Sequence, residues 1–207
     1  MPRQDKEITN KQIQQTTIKL FAKKGYRDIS MEEIAKCTGI AKRTLYKYYP
    51  SKIALFISIF EGYLRYFLDS EMDAAYAGLS YKETLVTMFT RLYEFTKENQ
   101  GFMRLFWMLN SDTVEGEVPE ELLQHIYRLN NRIVELTSRC LEGKHPSGIL
   151  GTFSPVLVTH MFSAMNKGLH MQIDKEKGFG IASINENDLF TAFQDMLAFC
   201  AEYPENH

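Results

Sequence analysis

The sequence has few of the features that mark a secreted protein, a membrane protein or a fold stabilised by a structural metal ion. Its 207 residues include only 3 cysteines and no CxxC pair, which argues against a disulfide framework or a zinc site. No apolar run approaches the roughly 20 residues that a membrane-spanning helix needs. The first residues also lack the apolar stretch of a signal peptide. We therefore expect an intracellular, cytoplasmic protein with buried thiols and with no cofactor or bound metal.

Prolines are scarce as well, at 6, and no convincing alternation of polar and apolar residues indicates a strand. Apolar residues recur instead at helical spacing along most of the chain. The pattern predicts an all-α fold of about nine helices. They are expected at about 10–24, a short stretch from residue 30, 41–49, 52–76, 81–99, 101–110, 119–142, 154–173 and 187–203.

Charge is distributed unevenly, although the net charge of the whole chain is only −2. Residues 1–52 contain 12 Lys and Arg against 5 Asp and Glu, whereas residues 53–207 contain 12 against 21. Such an asymmetry favours a polyanionic partner for the first segment and not for the second. We therefore expect the chain to divide at about 52/53, with only the first part contacting a polyanion.

Residues 30–49 have the spacing of a helix-turn-helix. Ser30 and Glu33 form a capping box that starts a short helix, and Gly39 can take the positive φ of a tight turn. In the helix that follows, Leu45 and Tyr49 share one face and can pack inward. The residues left to point outward are cationic or carry hydroxyls, which suits guanine acceptors and phosphates. They are Lys42, Arg43, Thr44, Lys47 and Tyr48.

The same region resembles the TetR family of regulators. The resemblance rests on Phe21-Ala22-Lys23-Lys24-Gly25-Tyr26, Ile34-Ala35, Gly39-Ile40, Thr44-Leu45-Tyr46-Lys47-Tyr48-Tyr49 and Ser51-Lys52. It implies two domains, a DNA-binding one at 1–52 and an effector-binding and dimerising one at 53–207. It also implies a homodimer that binds a palindromic double-stranded DNA operator and releases it when a small effector enters the C-terminal domain. It also implies that Lys42, Arg43 and Tyr46 touch bases, and that Thr44, Tyr48 and Lys52 touch phosphates. Ala41 departs from the pattern, since many members have a capping serine there.

The second domain is rich in aromatic residues and methionine, with 13 Phe, 7 Tyr, 8 Met and the single Trp. Residues 101–109 are apolar around most of the helix circumference, which requires burial on more than one side. Plain core packing is one interpretation of this segment. The family resemblance adds another, an effector cavity beside this helix. The candidate lining residues are Phe102, Phe106, Trp107, Tyr127, His160 and Met161.

The last two predicted helices carry broad apolar faces that a monomer would leave in water. Large apolar patches of this kind usually mark interfaces. The small residues Ser163, Ala164 and Gly168 permit close approach of two helices. We therefore expect a two-fold contact through these helices, as the family resemblance also implies.

No pattern in the sequence indicates an enzyme. HExxH, GxSxG, GxGxxG and Walker-type loops are all missing. His170 and Asp174 are four residues apart, and a hydrogen bond between them is favoured over a metal site. Two alternatives to a ligand-released repressor stay open. One is an activator, or a regulator controlled by a protein partner, and the other is a small helical enzyme with a scattered site.

Overall fold

The computed structural model describes residues 3–68, 76–109, 118–173 and 186–202. Within these ranges the chain forms nine α-helices, one short 3-10 helix and no strand, which confirms the predicted all-α fold. The α-helices are α1 (Arg3–Lys24), α2 (Met31–Thr38), α3 (Lys42–Tyr48), α4 (Lys52–Leu68), α5 (Tyr81–Glu98), α6 (Gln100–Leu109), α7 (Glu120–Arg139), α8 (Pro155–Ile173) and α9 (Glu186–Glu202); the 3-10 helix is Ile149–Thr152.

Most helices begin and end within a few residues of their predicted bounds, but α1 starts about two turns earlier. The added residues, Arg3 to Thr9, are mostly polar and give no apolar periodicity from which a helix could be predicted. The stretch predicted as a loop at 144–153 contains the short 3-10 helix. The predicted loops at 111–118 and 174–185, and with them Asp174, lie almost wholly outside the described residues.

The helices group into two compact units. The first comprises Met1–Tyr66 and Asn99–Asn130, so it contains α1 to α4 together with α6 and the first half of α7. Its core holds Phe56, whose ring lies edge-on to Phe21 at 5.7 Å and to Tyr26 at 4.9 Å between centroids. Further along α4, Phe60 meets Phe102 of α6 at 5.4 Å. These aromatic contacts join the N-terminal helices to α6.

The second unit comprises Phe67–Glu98 and Asn131–His207. In it α5 packs against α8 and α9, and Phe89 is fully buried at the centre. The loop before α8 is attached to the end of α9, because Ser147 Oγ donates to the carbonyl of Ala201 at 2.6 Å. Gly148 follows with φ +62°, and a Cβ there would lie 2.3 Å from the Cys200 carbonyl oxygen. Only glycine fits this approach.

The boundary between these units does not coincide with the predicted functional boundary at 52/53, since α6 groups with the N-terminal helices. The division at 52/53 concerns function and stays a prediction. Among the helices that the structure describes, none combines the length and the apolar character needed to cross a lipid bilayer. The expectation of buried thiols holds for Cys140, but Cys200 is half-buried and Cys37 is exposed on the short helix α2.

Candidate DNA-contacting surface and effector site

The turn between α2 and α3 is built from local interactions that the sequence encodes. Ser30 has extended backbone and its side chain accepts from the Glu33 amide at 3.1 Å, which caps α2. This is half of the predicted capping box, because the Glu33 carboxylate pairs with Lys24 at 2.6 Å. Gly39 ends α2 with φ +72°, and the amide of Ile40 donates to Ala35 at 3.1 Å. This left-handed glycine turns the chain sharply, and α3 begins at Lys42.

Helix α3 presents four large side chains to solvent. Leu45 is fully buried and the flanking Tyr49 is 6% exposed, so together they hold α3 against the helices beneath it. Thr44 and Tyr48 are half-buried at the sides. The exposed residues, hereafter the recognition face, are Lys42, Arg43, Tyr46 and Lys47. Ala41 makes no side-chain cap, in line with its departure from the family pattern.

Lys42 is the one member of this face with an acidic partner among the described residues. Its ammonium pairs with Glu32 of α2 and lies 5.7 Å from the ring centre of Tyr46. The hydrogen bond to Glu32 raises the pKa of Lys42, and the same bond lowers the pKa of Glu32. Both groups are more than half exposed. Such a pair is weak, so a DNA phosphate or base can replace it at little cost.

Lys52 has a different environment from the one that a phosphate contact requires. Its ammonium donates to the carbonyls of Tyr26 and Ile29, both at 2.8 Å, and lies 4.2 Å from the Tyr26 ring centre. Burial lowers the pKa of this lysine. The contacts fasten the loop after α1 to the start of α4. Lys52 as a phosphate contact stays a prediction, and this geometry favours a positioning role.

The predicted effector residues fall into different environments. Phe102 is 1% exposed, and its ring stacks on Tyr63 at 4.4 Å with an interplanar angle of 6°. Phe106 lies 6.2 Å from Phe102, and both Phe106 and Trp107 are half-buried. Tyr127, on α7, is 47% exposed. The first unit therefore brings Phe102 and Phe106 together and leaves Tyr127 at the surface.

The other two candidates belong to the second unit. His160 is exposed on α8, whereas Met161 is half-buried and packs against the core of that unit.

A buried polar seam between α5 and α8 was missed by the sequence analysis. Asn166 Nδ2 donates to Thr96 Oγ1 at 2.7 Å, and both side chains are almost fully buried. Next to this pair, the Tyr93 ring stacks on His170 at 5.0 Å between centroids. The four residues, Tyr93, Thr96, Asn166 and His170, are hereafter the α5–α8 seam. Asn166 stands in an apolar helix, which is the one sequence signal that could have drawn attention to it.

The last two helices expose apolar side chains in the single chain. Val156 and Leu157 of α8 are 48% and 46% exposed, and Met196 and Phe199 of α9 are 44% and 61% exposed. Ser163, Ala164 and Gly168 are exposed on α8 as well. Phe193 points inward, with its ring 6.3 Å from that of Phe89.

Among the residues that the structure describes, no group of three or more His, Cys, Asp or Glu side chains could hold a metal ion.

Three similarities to known proteins bear on this surface. The family model for bacterial regulatory proteins of the tetR family matches residues 13–59, which span α1 to the first part of α4. The uncharacterised HTH-type transcriptional regulator YuxN of Bacillus subtilis is 36% identical over 95 residues, covering 46% of this chain and 33% of YuxN. The HTH-type transcriptional repressor KstR2 of Rhodococcus jostii is 27% identical over 123 residues, covering 59% of this chain and 58% of KstR2. The chain thus matches less than two thirds of each of these relatives.

A solved structure extends the likeness to nearly the whole chain. The transcriptional regulator FadR from Bacillus subtilis, in complex with stearoyl-CoA, superposes with a TM-score of 0.66 at 18% identity. The match covers 90% of this chain and 96% of that one, and at this identity it shows a common fold. All three proteins are described as transcription regulators and none as an enzyme.

Proposed function

We propose that this chain represses transcription, because its residues 13–59 match the family model for bacterial regulatory proteins of the tetR family and its fold resembles that of a solved regulator. In this proposal it binds a palindromic DNA operator as a homodimer, in the cytoplasm, and a small, largely apolar effector releases it. The observation that carries the proposal is the recognition face, which stands on the second helix of a helix-turn-helix. KstR2, a relative described as a repressor, supports the sign of regulation.

DNA binding follows from the chemistry of the recognition face. Three cationic side chains, Lys42, Arg43 and Lys47, project from a seven-residue helix whose opposite side is buried. A helix of this kind can enter the major groove, where Arg donates to both guanine acceptors and Lys to one. Tyr46, at 40% exposure, can contact a base edge or a thymine methyl beside them.

Dimerisation through α8 and α9 follows from their exposed apolar side chains. Val156, Leu157, Met196 and Phe199 would each lose contact with water in a two-fold contact. The exposed Ala164 and its small neighbours let the backbones approach closely. Two copies related by such an axis present two recognition helices, and their spacing then selects a palindromic operator.

Composition favours an apolar effector, and the FadR structure, which holds stearoyl-CoA, favours one with a fatty acyl chain. Half-buried Phe106 and Trp107 offer apolar surface on α6. Pockets lined by such side chains favour ligands with substantial apolar area. The contacts of Phe102, Phe106, Trp107 and Tyr127 with an effector, and those of His160 and Met161 in the second unit, are part of this proposal.

Coupling between effector and DNA is supported by the packing of the first unit. A Cβ on Gly101 of α6 would lie 3.1 Å from Ile18 of α1, so the two helices are already in tight contact. Gln14 of α1 in turn donates to Ser58 Oγ of α4 at 3.2 Å. A shift of α6 is therefore felt by α1 and α4. Release requires the effector to prefer the conformation with low operator affinity, since equal affinity for both shifts nothing.

Selection of DNA from a random pool by the purified protein tests this function. The expected product is a palindrome whose half-sites lie about one helical turn apart. Adding acyl-CoA or free fatty acid should then lower affinity for that sequence. Recovery of DNA without any common sequence would contradict the proposal.

A further inference from the structure

The side-chain amide of Asn166 has a hydrogen-bond partner for its nitrogen but none for its oxygen among the described residues. Asn166 is 2% exposed, and its Nδ2 donates to Thr96 Oγ1 at 2.7 Å. The Thr96 hydroxyl donates in turn to the Leu92 carbonyl at 2.8 Å, so its oxygen is left to accept and the amide nitrogen faces it. The amide oxygen Oδ1 is buried, and no donor among the described residues reaches it.

A buried amide oxygen without a donor is costly, by an amount comparable to a lost hydrogen bond. The chain contains a close comparison in Gln194 of α9, whose Nε2 donates to Thr90 Oγ1 at 2.7 Å. Gln194 and Thr90 are only partly buried, and Gln194 leaves no buried oxygen without a partner in the described structure. Two similar interhelical amide–threonine pairs thus differ in burial, and only the buried one, at Asn166, has an acceptor without a donor in the described structure.

We propose that Asn166 Oδ1 is the polar anchor of an effector site within the second unit and accepts a hydrogen bond from a neutral hydroxyl or amide N–H of an otherwise apolar ligand. The inference rests on the proposed apolar effector and adds the polar group that it carries. The surroundings support this chemistry. On α8, His170 lies one turn from Asn166, and on α5, Tyr93 lies one turn from Thr96, and the two rings stack on each other at 5.0 Å between centroids.

A neutral donor fits this seam better than a cation. Burying an ammonium requires a buried carboxylate or a comparable set of acceptors. The buried polar residues that the structure describes in the second unit are Thr84, Thr96, Ser138, Thr159, Asn166 and His170, and none of them is acidic. A hydroxyl or amide N–H needs one acceptor, which Oδ1 supplies.

The test compares two probes that differ in the donor, decan-1-ol and its methyl ether, by calorimetric titration of the full-length protein. The wild type should bind the alcohol roughly fivefold more tightly, the effect of one neutral hydrogen bond. The Asn166→Leu variant should still bind the ether, and its affinities for the alcohol and the ether should differ by no more than about twofold. The matched control Gln194→Leu should keep the preference for the alcohol.

Equal binding of the two probes by the wild type, or a preference that survives Asn166→Leu, would overturn the inference and leave the apolar effector standing. If the wild type binds neither probe, the proposed effector class fails and the inference fails with it. A crystal structure of the wild type with decan-1-ol covers the case in which Asn166→Leu does not fold. The hydroxyl should then lie within hydrogen-bond distance of Oδ1, and an ordered water there with the alcohol elsewhere would contradict the proposal.

Discussion

The ammonium of Lys52 lies 4.2 Å from the centre of the Tyr26 ring and donates to the carbonyl of the same residue at 2.8 Å. This contact connects the loop after α1 to the first turn of α4, 26 residues away in the sequence. We therefore expect this lysine to affect DNA binding through the position of these two elements as well as through its charge.

Lys52→Ala should destabilise the protein and weaken binding to every DNA sequence alike. Three carbonyls, of Tyr26, Arg27 and Ile29, lose a charged donor, and hydrogen bonds to charged groups are worth about 1.5–3 kcal/mol. Thermal melting and operator binding measure the two effects. Lys47→Ala is the control, because Lys47 is exposed on the recognition face; it should lower affinity and leave the melting temperature unchanged. An unchanged melting temperature for Lys52→Ala would assign that lysine to the DNA alone.

Arg43→Ala should relax base preference as well as weaken binding, by about 1–3 kcal/mol if Arg43 reads a guanine. The measurement is affinity for the selected operator and for random DNA of the same length. Lys24→Ala serves as the comparison, since Lys24 is not part of the recognition face and its ammonium pairs with Glu33 at 2.6 Å. Equal losses on operator and random DNA would show that Arg43 contacts the backbone.

Gly101→Ala should alter the coupling between effector and operator. Alanine normally stabilises a helix interior by about 0.5–1 kcal/mol relative to glycine. At Gly101 the added methyl meets Ile18 at 3.1 Å, whereas at Gly62 the nearest atom, Gln14 Oε1, lies 3.7 Å away in ordinary contact. Gly62→Ala should therefore raise the melting temperature. Gly101→Ala should raise it by less and should change the effector-induced release from the operator. Identical behaviour of the two variants would remove the α1–α6 contact from the coupling.

Phe199→Asp should give monomers that remain folded. Phe199 is 61% exposed in the single chain, so a carboxylate there is tolerated until the dimer buries it without a partner. Light scattering and circular dichroism report the two properties. Phe193→Asp differs, because the Phe193 ring packs on Phe89 and its loss should unfold the second unit. A stable dimer of Phe199→Asp would place the interface on another surface.

Local structure that depends only on residues close together in the sequence could be predicted from it. The Ser30–Glu33 cap and the left-handed turn at Gly39 are complete within ten residues, so residue type and spacing determine them. The burial of Leu45 and Tyr49 follows in the same way from their spacing on one short helix.

Contacts between residues that are far apart in the sequence could not be predicted from it. Asn166 and Thr96 are 70 residues apart, and nothing in their local sequence connects them. Helix α9 is apolar on several sides, so periodicity did not separate the inward Phe193 from the outward Phe199. Lys52 was expected at phosphates because its position matches the family pattern, and its carbonyl partners became visible only in the fold.

The salt dependence of operator binding tests the central claim most directly. Each phosphate that the protein neutralises should contribute roughly −0.9 to the slope of log affinity against log salt concentration. A dimer with Lys42, Arg43 and Lys47 on each recognition face should give a slope of several units, and Lys47→Ala should make it shallower if that lysine contacts phosphate. A slope near zero for the wild type would contradict the account, because it would remove DNA as the partner of this surface.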